Sequence, residues 1–172
     1  MSSQTDLDIV RDLIQIRSLV ARYARACDRH SGADVSKLFV ENGRLLKFEE
    51  SSGKIIAEAS GGVAIESSVN SLNSYTVTTH FIGQHDAAVE GDRASGETYC
   101  LAHHIYESDG VALDRVLSIR YLDEYLRVRG DWLFVERRLV IDWIEYRTMG
   151  SVSEAPYWAR DVDTASLLRS QL

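Results

Sequence analysis

Apolar side chains near the start of the chain fall at Val10, Leu13, Ile16, Val20, Tyr23 and Cys27, steps of three and four residues that predict one face of an α-helix. Thr5, with Asp8 three residues on, fits a capping box at its start, and Ser31-Gly32 marks its end. A short second helix is predicted across Asp34 to Val40, closing at Asn42-Gly43. Arg44 to Phe48 and Lys54 to Ala59 read as strands around the turn Ser51-Ser52-Gly53. Gly61-Gly62 opens a third helical stretch through Leu72.

From Tyr75 the periodicity changes to two. Tyr75 to His85, Ala94 to Tyr106, Asp114 to Val128 and Trp132 to Arg147 are rich in β-branched and aromatic residues. The segments between them carry turn chemistry: Glu90-Gly91-Asp92, Ser108-Asp109-Gly110 and Arg129-Gly130-Asp131. Long strands joined by tight turns form an antiparallel meander, and helices followed by such a sheet make an α+β arrangement. Residues 148–172 are polar apart from Tyr157-Trp158, hold the only proline (Pro156), and read as a C-terminal tail.

The length of 172 residues suits one domain, 1–172, with one core. Net charge decides more: 19 Lys and Arg against 26 Asp and Glu leave -7, the wrong sign for displacing counterions from nucleic acid. No apolar run approaches the roughly 18 residues of a membrane span, and the first residues do not resemble a signal peptide. Two cysteines, Cys27 and Cys100, do not make a disulfide framework, so a reducing cytoplasm is the expected address.

Standard chemical motifs are missing: there is no phosphate-cradling glycine loop, dinucleotide fingerprint, nucleophile elbow or zinc-spaced cysteine pair. Five histidines remain, His30, His80, His85, His103 and His104. Strand alternation separates the last two: if His104 faces the interior with Cys100 and Thr98, His103 faces out with Tyr99 and Leu101. Asp28 follows the apolar helical stripe at the point where the first helix should end, and His80 lies in the strand Thr78-Thr79-His80-Phe81-Ile82-Gly83.

Taken together, Tyr23 to Asp28, Thr79-His80-Phe81-Ile82-Gly83, the strand Gly96 to His104 and the ending Gly130-Asp131-Trp132-Leu133-Phe134 resemble the nuclear transport factor 2-like (SnoaL-like) superfamily. The closest branch is that of scytalone dehydratase and hexachlorocyclohexane dehydrochlorinase, and the resemblance spans roughly residues 8 to 147. It implies a cone-shaped, curved, mainly antiparallel sheet wrapped by N-terminal helices around an apolar pocket. It also implies an aspartate at Asp28, pocket histidines at His80 and His104, and a last-strand arginine at Arg137 that could bind an anionic group. The dehydrochlorinase's helical lysine falls on Tyr23, and the dehydratase's tyrosine beside the aspartate on Cys27. The dehydratase's pocket tyrosine lands on Lys47 or Phe48, and its strand serine and asparagine become Ile119 and Tyr121.

The resemblance implies a cofactor-independent lyase, needing neither metal nor organic cofactor. His80 would be the base, Asp28 would orient it, and His104 or Tyr23 would serve the leaving group. Tyr23, Phe39, Phe81, Tyr121 and Trp143 would line the pocket, favouring a small aromatic or alicyclic substrate. Loss of an aldehyde would use the same base. An isomerase or polyketide cyclase working by proton transfer, and a non-catalytic small subunit of a ring-hydroxylating dioxygenase-like assembly, are the other readings this fold allows. A homo-oligomer, trimer or dimer, is expected.

Overall fold

In the computed structural model, residues 5–49 and 53–150 are described. Their order is α1 (Asp6–Asp28), α2 (Gly32–Ser36), β1 (Phe39–Glu49), β2 (Lys54–Ser60), α3 (Gly62–Asn70), a 3-10 turn (Ser71–Ser74), then β3 (Val77–Glu90), β4 (Arg93–Ser108), β5 (Val111–Val128) and β6 (Asp131–Thr148). The six strands form one sheet in the order β2-β1-β6-β5-β4-β3. All neighbours are antiparallel except β1 and β6, which run parallel. The sheet is curved and unclosed, with β2 and β3 at its edges. Among the described residues no helix is long and apolar enough to cross a membrane. The tail from 151 onward, with Pro156 and Tyr157-Trp158, and most of the turn at Ser51-Ser52 lie outside the described residues.

The capping box forms as read: the Thr5 side chain accepts from the Asp8 backbone while Asp8 accepts from the Thr5 backbone. Ile16, Leu19, Val20, Tyr23 and Cys27 turn one stripe of α1 onto the concave side of the sheet. A charged contact the periodicity did not reveal fixes the helix in register. Asp12 is fully buried, accepts from Arg127 Nη1 at 2.7 Å and Nη2 at 2.6 Å, and accepts from Trp132 Nε1 at 3.1 Å. The helix is thereby tied to the hairpin joining β5 and β6.

α1 stops at Asp28, a little before the predicted Ser31-Gly32. His30 adopts a left-handed conformation (φ 54°), its N–H donates to Cys27 O at 2.9 Å, and Ser31 N–H donates to Ala26 O at 3.0 Å. This is a Schellman ending with histidine where glycine is usual. The ring justifies the exception, because His30 Nε2 shares a hydrogen bond of 3.2 Å with Thr78 Oγ1 on β3.

The second helix is shorter than predicted. Leu38 O accepts from Phe134 N at 2.9 Å, so the chain joins β6 from Phe39 instead of continuing a turn. Asn42-Gly43 lies inside β1, at the register shift between Phe39 and Arg44. A Cβ on Gly43 would meet Phe39 Cβ at 2.8 Å and Val40 O at 2.9 Å, a closeness only glycine tolerates.

Candidate active site

The end of α1 packs against β3, and this contact assembles the central pair. His80 Nδ1 lies 2.6 Å from Asp28 Oδ1, and the His80 backbone N–H donates to Asp28 Oδ2 at 3.0 Å. Both carboxylate oxygens are thus committed to one residue. An ionised carboxylate only accepts, so Nδ1 carries the proton and the lone pair rests on Nε2. Only 6% of the His80 side chain and 16% of that of Asp28 are exposed.

His80 lines a cavity of about 190 Å³ on the concave face of the sheet. Its walls are Tyr23 and Cys27 from α1, Leu45 and Lys47 from β1, and Leu139 and Ile141 from β6. Arg115, Leu117, Ile119 and Tyr121 come from β5, and His104 from β4. Ser68, Val69, Ser71, Leu72 and Tyr75 flank it on the α3 side. This volume suits a single substituted ring and is smaller than the range of about 300–1,000 Å³ for larger ligands.

His104 stands edge-on to His80, with ring centroids 5.6 Å apart, and packs on Tyr75 at 4.8 Å. Burial, with His80 beside it, pushes its imidazole down to about 4, so it is neutral at physiological pH. Its Nδ1 is buried with no hydrogen-bond partner among the described residues. The hydroxyls of Tyr23 and Tyr121 are held well above the usual tyrosine range by burial and by nearby thiols, so both stay protonated. Burial likewise pushes the Cys27 and Cys100 thiols up to about 12, which removes them as nucleophiles.

The strand parity read from the sequence holds on β4: Thr98, Cys100 and His104 are buried, whereas Tyr99 and Leu101 are exposed. His103 turns outward and pairs with Asp114, Nδ1 to Oδ2, at 2.7 Å. Of the two register choices on β1, Lys47 lines the cavity and Phe48 does not.

Four expected positions need correction. Phe81 is 68% exposed, because the alternation that turns His80 inward turns its neighbour outward. Trp143 is 46% exposed. A register shift after Ser118 leaves Asp142 as an extra residue on β6, so Ile141 pairs with Ile119 on the inside while Trp143 pairs with Ser118. Phe39 is buried in the core against Tyr23 and Phe134, behind the cavity wall.

Arg137 does point inward, but its charge is already matched. Nε and Nη2 donate to Asp123 at 2.8 and 2.7 Å, and the guanidinium is stacked 4.1 Å from the Tyr23 ring and 4.2 Å from those of Tyr121 and Phe134. It is fully buried and does not line the cavity, so it supports the wall and contacts no ligand. The residues that sequence reasoning missed are Arg115 and Tyr75. Arg115 was legible in principle, since it shares strand parity with Tyr121. Among the described residues no three His, Cys, Asp or Glu side chains converge as metal ligands.

A family model for the SnoaL-like domain matches residues 8–138. No curated protein matches the chain. Among solved structures, a scytalone dehydratase-like protein from Novosphingobium aromaticivorans is similar at 20% identity and a TM-score of 0.67, covering 86% of this chain and 94% of its own. The LinA-type3 hexachlorocyclohexane dehydrochlorinase from Novosphingobium barchaimii gives 15% identity and a TM-score of 0.70, covering 88% and 99%. An NTF2-like protein with a cystatin-like fold from Novosphingobium aromaticivorans gives 26% identity and a TM-score of 0.63, covering 79% and 85%.

Proposed function

Since this chain belongs to the SnoaL-like domain family, we propose that it is an acid–base lyase of the dehydratase type, acting on a small single-ring substrate without a cofactor. One observation carries the reading. Asp28 holds His80 by ring and backbone at once, 2.6 and 3.0 Å, and leaves Nε2 as the basic nitrogen beside the cavity. The dehydratase-like and dehydrochlorinase neighbours of the same fold favour elimination over other proton-transfer chemistry.

In the proposed reaction, His80 Nε2 removes a proton from a carbon adjacent to a carbonyl. The C–H electrons become the new double bond as the neighbouring C–O bond breaks. The departing hydroxide takes back the proton that His80 gained, so substrate becomes alkene plus water and the enzyme returns to its starting state. Asp28 stabilises the transient imidazolium. His104 is neutral near pH 7, so it acts as a hydrogen-bonding group toward the leaving oxygen and not as a cationic acid. Assistance of this kind contributes on the order of 10²–10⁴-fold.

The test is a screen of β-hydroxy carbonyl compounds on six-membered rings, read by mass spectrometry. A product lighter by one water, formed by the wild type and lost in His80→Ala, supports the reading. A product of unchanged mass replaces elimination by isomerisation, and undiminished turnover in His80→Ala removes the base.

A further inference from the structure

Although the chain carries a net charge of -7, the described residues that line the cavity include two cations and no carboxylate. Asp28 sits behind His80 and contributes none to the wall. Arg115 on β5 is the cross-strand partner of His104 on β4. Its Nη1 donates to Tyr75 Oη at 3.2 Å, and its Nε is buried with no acceptor among the described residues. Lys47, half-buried on β1, forms no ion pair among the described residues, and the hydrophobic side chains of Leu45, Leu117 and Ile141 share its cavity. Burial, followed by the charge of Arg115, pulls the Lys47 ammonium below its ordinary value. The two cations therefore feel one another with no anion between them.

Lys47 and Arg115 are half-buried with no carboxylate on the cavity wall, so their desolvation is only partly offset by water. An anion held in the cavity would offset the remainder. We infer that the end of the cavity between Arg115 and Lys47 binds the carboxylate of a single-ring acid, making ring hydroxy acids the substrate class. This rests on the acid–base reading above, because it names the substrate of that same site. A planar carboxylate suits the fork of a guanidinium, and it stays ionised near neutrality where a phenol does not. A cavity of about 190 Å³ that is also lined by Leu45, Leu117 and Ile141 has room for the ring as well as the charge. Arg137, the cation with the more obvious claim, is occupied by Asp123.

Ligand-observed NMR at pH 7 and low salt, with benzoate and benzamide as probes, tests this directly. Benzoate is expected to bind at least tenfold more tightly than benzamide. Lys47→Met should weaken benzoate at least fivefold and leave benzamide unchanged, and Arg115→Gln should do the same. Arg115 also holds Tyr75, so Lys47→Met alone decides the outcome if Arg115→Gln fails to fold. Equal affinity for the two probes, or unchanged benzoate binding in Lys47→Met, overturns the inference. Displacement of benzoate by equimolar inorganic phosphate also overturns it, because the site then reads charge without a ring. The two readings fail separately. Neutral ring substrates turned over with no preference for benzoate end this inference alone, whereas benzoate binding with undiminished turnover in His80→Ala ends only the base.

Discussion

Asp28 grips His80 at two points, the ring Nδ1 and the backbone N–H, so the imidazole cannot turn without giving up a bond that also locks α1 to β3. A catalytic ring is usually oriented through its side chain alone. Here the strand backbone is part of the clamp, and the orientation of the base depends on the docking of a helix 52 residues earlier in the chain.

Asp28→Asn keeps the shape of the clamp but offers an N–H to Nδ1, which favours the tautomer with its proton on Nε2. Turnover should fall on the order of 10²–10⁴-fold, with the thermal unfolding temperature little changed. Nitrogen-15 shifts of His80 give a readout independent of any substrate. Retention of the Nδ1–H tautomer together with full activity would refute the assignment.

His104 links the site to pH. Its folded value of about 4 lies below the ordinary 6.5, so between these limits the unfolded chain binds the extra proton and the folded one does not. Stability therefore falls as pH drops from 6.5 toward 4, by about 3 kcal/mol, and changes no further from this group below that. Burial lowers His30 and His85 as well, so they add to the same slope. Urea midpoints across this range should fall with pH, and less steeply in His104→Gln. An identical slope in that variant would contradict the account.

Arg137 and Asp123 are both fully buried and bonded to one another, so neither can be removed alone without stranding a charge. Arg137→Met should destabilise by about 3–5 kcal/mol, and Arg137→Met with Asp123→Leu by clearly less. Denaturation of both variants separates this wall-supporting role from ligand binding, which would give the single variant normal stability and a raised KM.

On the outer face, Phe81→Ala should leave benzoate affinity within twofold of wild type. Leu117→Ala, which opens the cavity wall, should weaken it several-fold. Equal effects in an NMR titration would place Phe81 back among the ligand contacts.

What the sequence disclosed was local. The stripe of α1, the capping box and the parity of β4 are local patterns, whereas Asp28, His80 and His104 were singled out together only by the family resemblance. The misreadings needed information that no period carries. Alternation already forbade Phe81 once His80 was turned inward, so that error was avoidable. Trp143 was not recoverable, because a bulge is set by pairing with the next strand. Nor was Arg137, whose partner becomes visible only when β5 and β6 lie in register with Asp123 opposite it. Asp12 is the same case at longer range, a buried charge explained by Arg127 and Trp132 more than a hundred residues away.

The extra residue at Asp142 divides β6 into two stretches of opposite phase, Ile141 belonging to the inside and Trp143 to the outside. Deleting Asp142 would remove the bulge and keep Trp143 opposite Ser118 on the outside, whereas ironing the strand flat with Asp142 retained would put Trp143 in step with Ile141. Along this strand the number of residues matters as much as their kind. A lineage could therefore lose this one codon and straighten the strand while every paired side chain kept its present face.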